Sequence, residues 1–167
     1  MIKKSVFIAL FSLFNVFIGW AQTAHYNVVP LPKSIQYANA GDFILNSQTT
    51  IAYPKGNKAL HQNAILLAQY IQQSTGLQLK VVTKANDNSI TLRQNLTNNH
   101  TEAYQLKVTK MGVFIDGVSD AGCFYGIQTL RKALPVGRVQ QVTLPSVEVE
   151  DYPRFSYRGA HLDVARH

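Results

Sequence analysis

The chain has 167 residues, 46% of them hydrophobic and 15% charged, with eight Phe and eight Tyr and a formal net charge of +7. This composition excludes a disordered segment, and the length suits roughly one globular domain. The positive charges are scattered, with no basic run interleaved with aromatics, which argues against a nucleic-acid partner.

The chain opens with a basic pair, Lys3 and Lys4, followed by an apolar run from Val6 to Ile18. Small residues, Gly19 and Ala21, then flank Trp20 before Gln22, the pattern of a secretory signal peptide spanning 1–21. Ser12 and Asn15 interrupt the run, whereas a signal anchor needs about 18 continuous apolar residues, so cleavage is expected and no stable membrane anchor. Gln22 offers no cysteine for lipid attachment. Without Lys3 and Lys4, fourteen basic residues face nine acidic ones, a net charge of +5. Periplasmic or extracellular localisation follows as an expectation.

In the mature chain, Pro30 and Pro32 favour extended backbone leading to a strand over Ser34 to Tyr37. Phe43 to Leu45 and Thr50 to Tyr53 read as short strands of a meander, bounded by Gly41-Asp42 and by Pro54 to Gly56. The period then changes. Leu60, Ala64, Leu67 and Ile71 recur at helical spacing opposite Gln62, Gln69, Gln72 and Gln73, and Gly76 marks the stop, so the spacing predicts a helix over 58–75. Leu79 to Val82 and Ser89 to Leu92 read as strands, and Tyr104, Leu106 and Val108 alternate with polar residues before a turn at Gly112 into Val113 to Asp116. Cys123, Ile127, Leu130 and Leu134 repeat the helical stripe, with Ser119 or Asp120 as N-cap and Pro135 to Gly137 as the stop. A last strand alternates Val147 and Val149 with Glu148 and Glu150. These elements predict an α+β domain over 22–150, a mainly antiparallel sheet with two helices on one face. Tyr157 to Val164 reads as one further extended strand.

Few residues present themselves for chemistry. Cys123, the single cysteine, sits on an apolar helical stripe and reads as core, and one cysteine makes neither an internal disulfide nor a thiolate metal site. Gly117 to Gly122 has one residue too many after Ser119 for a nucleophile elbow, which leaves Ser119 as a cap. His161 and Asp163 share a strand face, but a metal site there needs His167 to fold back past the strand end; no metal and no cofactor are expected. Asn95 and Asn99 begin glycosylation sequons, for which chance in an Asn-rich loop suffices. Glu148, Glu150 and Asp151 read as a solvated face rather than as the paired carboxylates of a glycosidase.

Two stretches together resemble the β-N-acetylhexosaminidases of glycoside hydrolase family 20. "SDAGCFYGIQTLRKAL" at 119–134 is similar to the final helix of that family's small amino-terminal α+β domain, and "DYPRFSYRGAHLDVARH" at 151–167 is similar to the entry of its catalytic (β/α)8 barrel. Pro153-Arg154-Phe155, Arg158-Gly159, Leu162-Asp163 and Arg166-His167 form the dense part of the match. The resemblance implies that 22–150 is the accessory domain and that 151–167 begins a barrel, truncated here, since such barrels take about 250 residues.

The resemblance also implies that Arg158 binds substrate, donating hydrogen bonds to the C3 and C4 hydroxyls of a terminal N-acetylhexosamine. A guanidinium suits this, with five fixed donors and a charge that never titrates. A structural salt bridge is the alternative role. Arg154, Asp163, Arg166 and His167 are expected to be structural at the barrel entrance. Catalysis in the family is substrate-assisted: the 2-acetamido oxygen attacks the anomeric carbon, an aspartate orients it, and an adjacent glutamate protonates the leaving oxygen. That pair belongs further along the barrel, and Glu150-Asp151 has the reverse order, so the chain alone is expected to be inactive. The expected partners are glycans or oligosaccharides that contain N-acetylhexosamine. A stand-alone secreted module that binds sugar or supports another domain is the competing reading.

Overall fold

The computed structural model describes residues 21–155 and 157–162. Apart from Ala21, the segment read as a signal peptide lies outside the described residues, as do Asp163, Arg166 and His167. Four short strands come first: β1 (Ala21–Thr23), β2 (Ser34–Tyr37), β3 (Phe43–Asn46) and β4 (Thr50–Ala52). Helix α1 (Lys58–Thr75) follows, with the Asn57 side chain accepting from Leu60 N at its start. At its end Gly76 takes a left-handed conformation (φ 80°) and returns its N–H to Gln72 O, the helix stop for which glycine carries no Cβ penalty.

Strands β5 (Lys80–Val82), β6 (Ser89–Arg93), β7 (Tyr104–Thr109) and β8 (Gly112–Gly117) lead to α2 (Asp120–Ala133), and β9 (Gln141–Leu144) and β10 (Val147–Asp151) complete the order. Ser119 caps α2, its hydroxyl accepting from Gly122 N and donating to Thr101 O. Residues 110–111 make the β7–β8 turn, and Gly112 already belongs to β8.

Seven strands form one sheet in the order β2-β10-β7-β8-β6-β4-β5, and β1-β9-β3 form a second. The expectation of a mainly antiparallel sheet needs correction. In the large sheet β2, β10, β7 and β8 pair antiparallel, whereas β8, β6, β4 and β5 pair parallel. Apolar alternation records which face a residue occupies and carries no sense of strand direction; the direction comes from α1, which crosses from β4 to a parallel β5. Nor do β3 and β4 form a meander, because they lie in different sheets. The strand expected from Tyr157 to Val164 pairs with no described strand over 157–162, where Tyr157 and Leu162 are exposed.

Both helices cover the apolar face of the large sheet, α1 over β4, β5 and β6 and α2 over β7 and β8, and they touch each other. Leu60, Leu67, Ile71, Ile127, Leu130 and Leu134 are buried as their spacing requires, with Cys123 among them. Phe43, Leu45, Val142 and Leu144 of the small sheet join the same core. The other sheet face is polar: Lys107 pairs with Glu148, Gln105 bonds Glu148 and Glu150, and Arg93 grips Asp116 through two bonds of 2.6 Å. Among the described residues no helix is long and apolar enough to cross a membrane.

Helix α2 approaches the residue that precedes β7 so closely at Gly122 that a Cβ there would clash with Ala103 O. A backbone oxygen cannot swing aside as a side-chain tip can. Gly122→Ala is expected to cost roughly 1–3 kcal/mol, lowering the urea midpoint at unchanged m-value; a midpoint equal to the parent's would show that α2 sits elsewhere.

Candidate functional site

The chain leaves β10 at Asp151 and folds back across the exposed side of α2, leaving a groove of about 650 Å³ between them. Its walls come from three places: Val28, Pro30 and Leu31; the face of α2 carrying Tyr125, Gln128, Thr129 and Lys132; and Asp151 to Phe155 together with Arg158. Tyr104 lies below, its buried hydroxyl 2.6 Å from Thr129 Oγ1, and burial pushes this phenol up to about 12. Gln128 Nε2 is buried and has no hydrogen-bond partner among the described residues. Lys132 Nζ donates to Val29 O at 2.5 Å and so ties the first wall to the helix.

The returning segment is held by side chains rather than by a ladder. The Asp151 carboxylate accepts from Lys33 N, His100 stacks on Tyr152 with ring centroids 4.5 Å apart, and Lys33 Nζ lies 4.7 Å from the Tyr152 centroid. Arg158 is fastened at the far end. Its Nη2 donates to the Glu102 carboxylate, and Tyr125 lines the same groove. The bond to Glu102 raises the already high pKa of the guanidinium. The Arg158 side chain remains 46% exposed and that of Glu102 32%, so the pair sits at the groove rim with one side open to solvent.

The structure therefore places Arg158 beside a carboxylate that sequence reasoning did not single out. Glu102 lies 56 residues earlier, in a polar loop before β7, and no spacing ties it to Arg158. Arg154 is exposed on the same groove. Glu150 and Asp151 are engaged with Gln105 and with the Lys33 backbone, as structural carboxylates are. Among the described residues no group of three or more His, Cys, Asp or Glu is placed to hold a metal ion.

The model of "Glycosyl hydrolase family 20, domain 2" matches residues 25–152. The chain belongs to glycosyl hydrolase family 20. A β-hexosaminidase of Porphyromonas gingivalis is 35% identical over 150 residues, which cover 84% of this chain and 19% of that protein. Among solved structures, the family 20 β-N-acetylhexosaminidase of Streptomyces coelicolor superposes with a TM-score of 0.71 at 28% identity, covering 84% of this chain and 29% of the other. The N-acetyl-β-hexosaminidase of Streptomyces plicatus, solved in complex with Thio-NAglucal, gives 0.70 at 28% identity with the same coverage. The chain thus spans about a fifth to three tenths of the length of these family 20 proteins, and the mixed sheets with two helices are the family's domain 2 fold.

Proposed function

We propose that this chain is the amino-terminal part of an exported β-N-acetylhexosaminidase that removes terminal, non-reducing N-acetylhexosamine residues from glycans with retention of configuration. The observation that carries the reading is the superposition on the Streptomyces coelicolor β-N-acetylhexosaminidase over 84% of the chain. Export is assigned to the basic and apolar leader of residues 1–21.

In this reading the reaction needs no enzyme nucleophile. The acetamido oxygen of the substrate attacks the anomeric carbon, one barrel carboxylate orients that group, and a second protonates the departing oxygen. The contribution of this chain is recognition. Arg158 directs the N–H groups not used by Glu102 at the sugar's C3 and C4 hydroxyls, where a charged donor makes the stronger class of hydrogen bond. Arg154, Asp163, Arg166 and His167 take structural places at the barrel entrance.

The test separates recognition from chemistry. Purified residues 22–167 are expected to release no nitrophenol from an aryl N-acetyl-β-glucosaminide, whereas the same segment joined to a barrel with its Asp-Glu pair turns the substrate over. Turnover by 22–167 alone, abolished by replacing one of its carboxylates, would overturn the assignment of catalysis to the barrel. Binding of the sugar by 22–167 at comparable strength with and without the barrel would favour a stand-alone binding module.

A further inference from the structure

We infer that Gln22 is a modification site: freed as the amino terminus when the leader is removed, it closes on its own amine to pyroglutamate and stands in that form at the head of β1. The inference rests on the export reading proposed above, in which the leader ends at Ala21.

The bond between Ala21 and Gln22 lies inside a strand. Ala21, Gln22 and Thr23 pair in parallel with Gln141, Val142 and Thr143 of β9. Directly after them Ala24 N donates to Thr143 O and His25 N donates to Ala133 O, each at 2.9 Å, and Ala24 and Tyr26 are buried. A strand docked in a sheet is what keeps a chain end ordered, so this end is held from its first residues. Proteases cut backbone that has opened from its ladder. The leader is therefore removed before β9 pairs with β1, and Gln22 then begins the strand.

Glutamine at such a position carries an electrophile within reach of its own amine. The amine nitrogen of Gln22 attacks Cδ, the Cδ–Nε2 bond breaks, and Nε2 leaves as ammonia with a proton taken from the amine. Both reacting groups belong to one residue, so the step is unimolecular and needs no co-reactant. The five-membered lactam keeps one N–H, the single donor that a strand residue has, and loses the ammonium charge. It also offers no free amine to an aminopeptidase. Trimming there would remove Gln22 and Thr23 and with them β1, the parallel neighbour of β9.

The 167-residue chain, expressed with its leader in a Gram-negative host, recovered from the periplasm and kept for days at neutral pH, is expected to have the intact mass of residues 22–167 less one ammonia. Stepwise amino-terminal sequencing should read nothing. Gln22→Asn is the control, because its amide could close only to a strained four-membered ring; it should keep its ammonia and give a readable sequence. Residues 22–167 released from a cleavable fusion allow the same comparison where the substitution impedes leader removal. A mature chain that starts at Gln22 and retains its ammonia overturns the inference and leaves the export reading standing. Loss of ammonia from Gln22→Asn as well places the reaction at another amide and also overturns it. A chain that retains residues 1–21 or starts elsewhere overturns the leader boundary and the inference together, and leaves the hexosaminidase reading untouched.

Discussion

On the role proposed for Arg158, its replacement by alanine in the complete enzyme is expected to lower kcat/KM by roughly two to four orders of magnitude, the effect of removing charge-assisted hydrogen bonds to two sugar hydroxyls. The two barrel carboxylates are untouched, so the shape of the pH–rate profile should persist while its height falls. A guanidinium does not titrate in the accessible range, and Glu102 raises its pKa further, so the deficit should be uniform with pH. Arg158→Lys should recover part of the loss, because an ammonium supplies charge without the planar fork. Kinetics on the analogue lacking the C4 hydroxyl provide the decisive comparison. Equal discrimination by parent and alanine variant would leave Arg158 with the structural ion pair to Glu102 as its whole role.

Ile127→Asp is the substitution expected to damage the fold most. Ile127 is fully buried on α2, in the tract where Gly126 lets the helix approach so closely that a Cβ would stand 2.6 Å from the Ile115 side chain. A carboxylate there would stand inside the apolar core cluster, and an uncompensated buried charge costs roughly 3–5 kcal/mol, against a total stability of about 5–15 kcal/mol for a domain. Thermal unfolding monitored by circular dichroism should shift down by about 10–20 °C. Ile127→Val, which keeps the shape and removes one methyl, should cost about 1 kcal/mol. A melting temperature unchanged by the aspartate would mean that the apolar stripe of α2 faces away from the sheet.

The helices were the legible part of this fold. Leu60, Ala64, Leu67 and Ile71, and then Cys123, Ile127 and Leu130, recur with the period of a helix, and Gly76 and Ser119 mark its ends with chemistry that acts locally. Strand β9 is not legible although Val142 and Leu144 alternate with Gln141 and Thr143 and are buried, because a strand of four residues is too short for period-two alternation to stand out. Strand β1 was hidden beside the leader. Strand direction was illegible for a physical reason: parallel and antiparallel partners bury the same alternating residues. At the site, the Arg158 motif stood out by its density, while Glu102 and Tyr125 did not, since an ion pair formed across 56 residues depends on where the folded loop places a carboxylate.

Among the described residues β1 and β3 have β9 as their sole sheet neighbour, and β2 has only β10. Three of the first described strands therefore wait, unpaired, for β9 and β10, about a hundred residues later. Such closure is slow, because the chain must surrender the freedom of a loop of about a hundred residues before the first bond of these ladders repays it. During synthesis the leading segments can fold locally at α1 or at the β7–β8 hairpin, but neither sheet can be completed until residues 141–151 have emerged. The topology thus makes the two sheets close together, late, on a single hinge of sequence, residues 141–151.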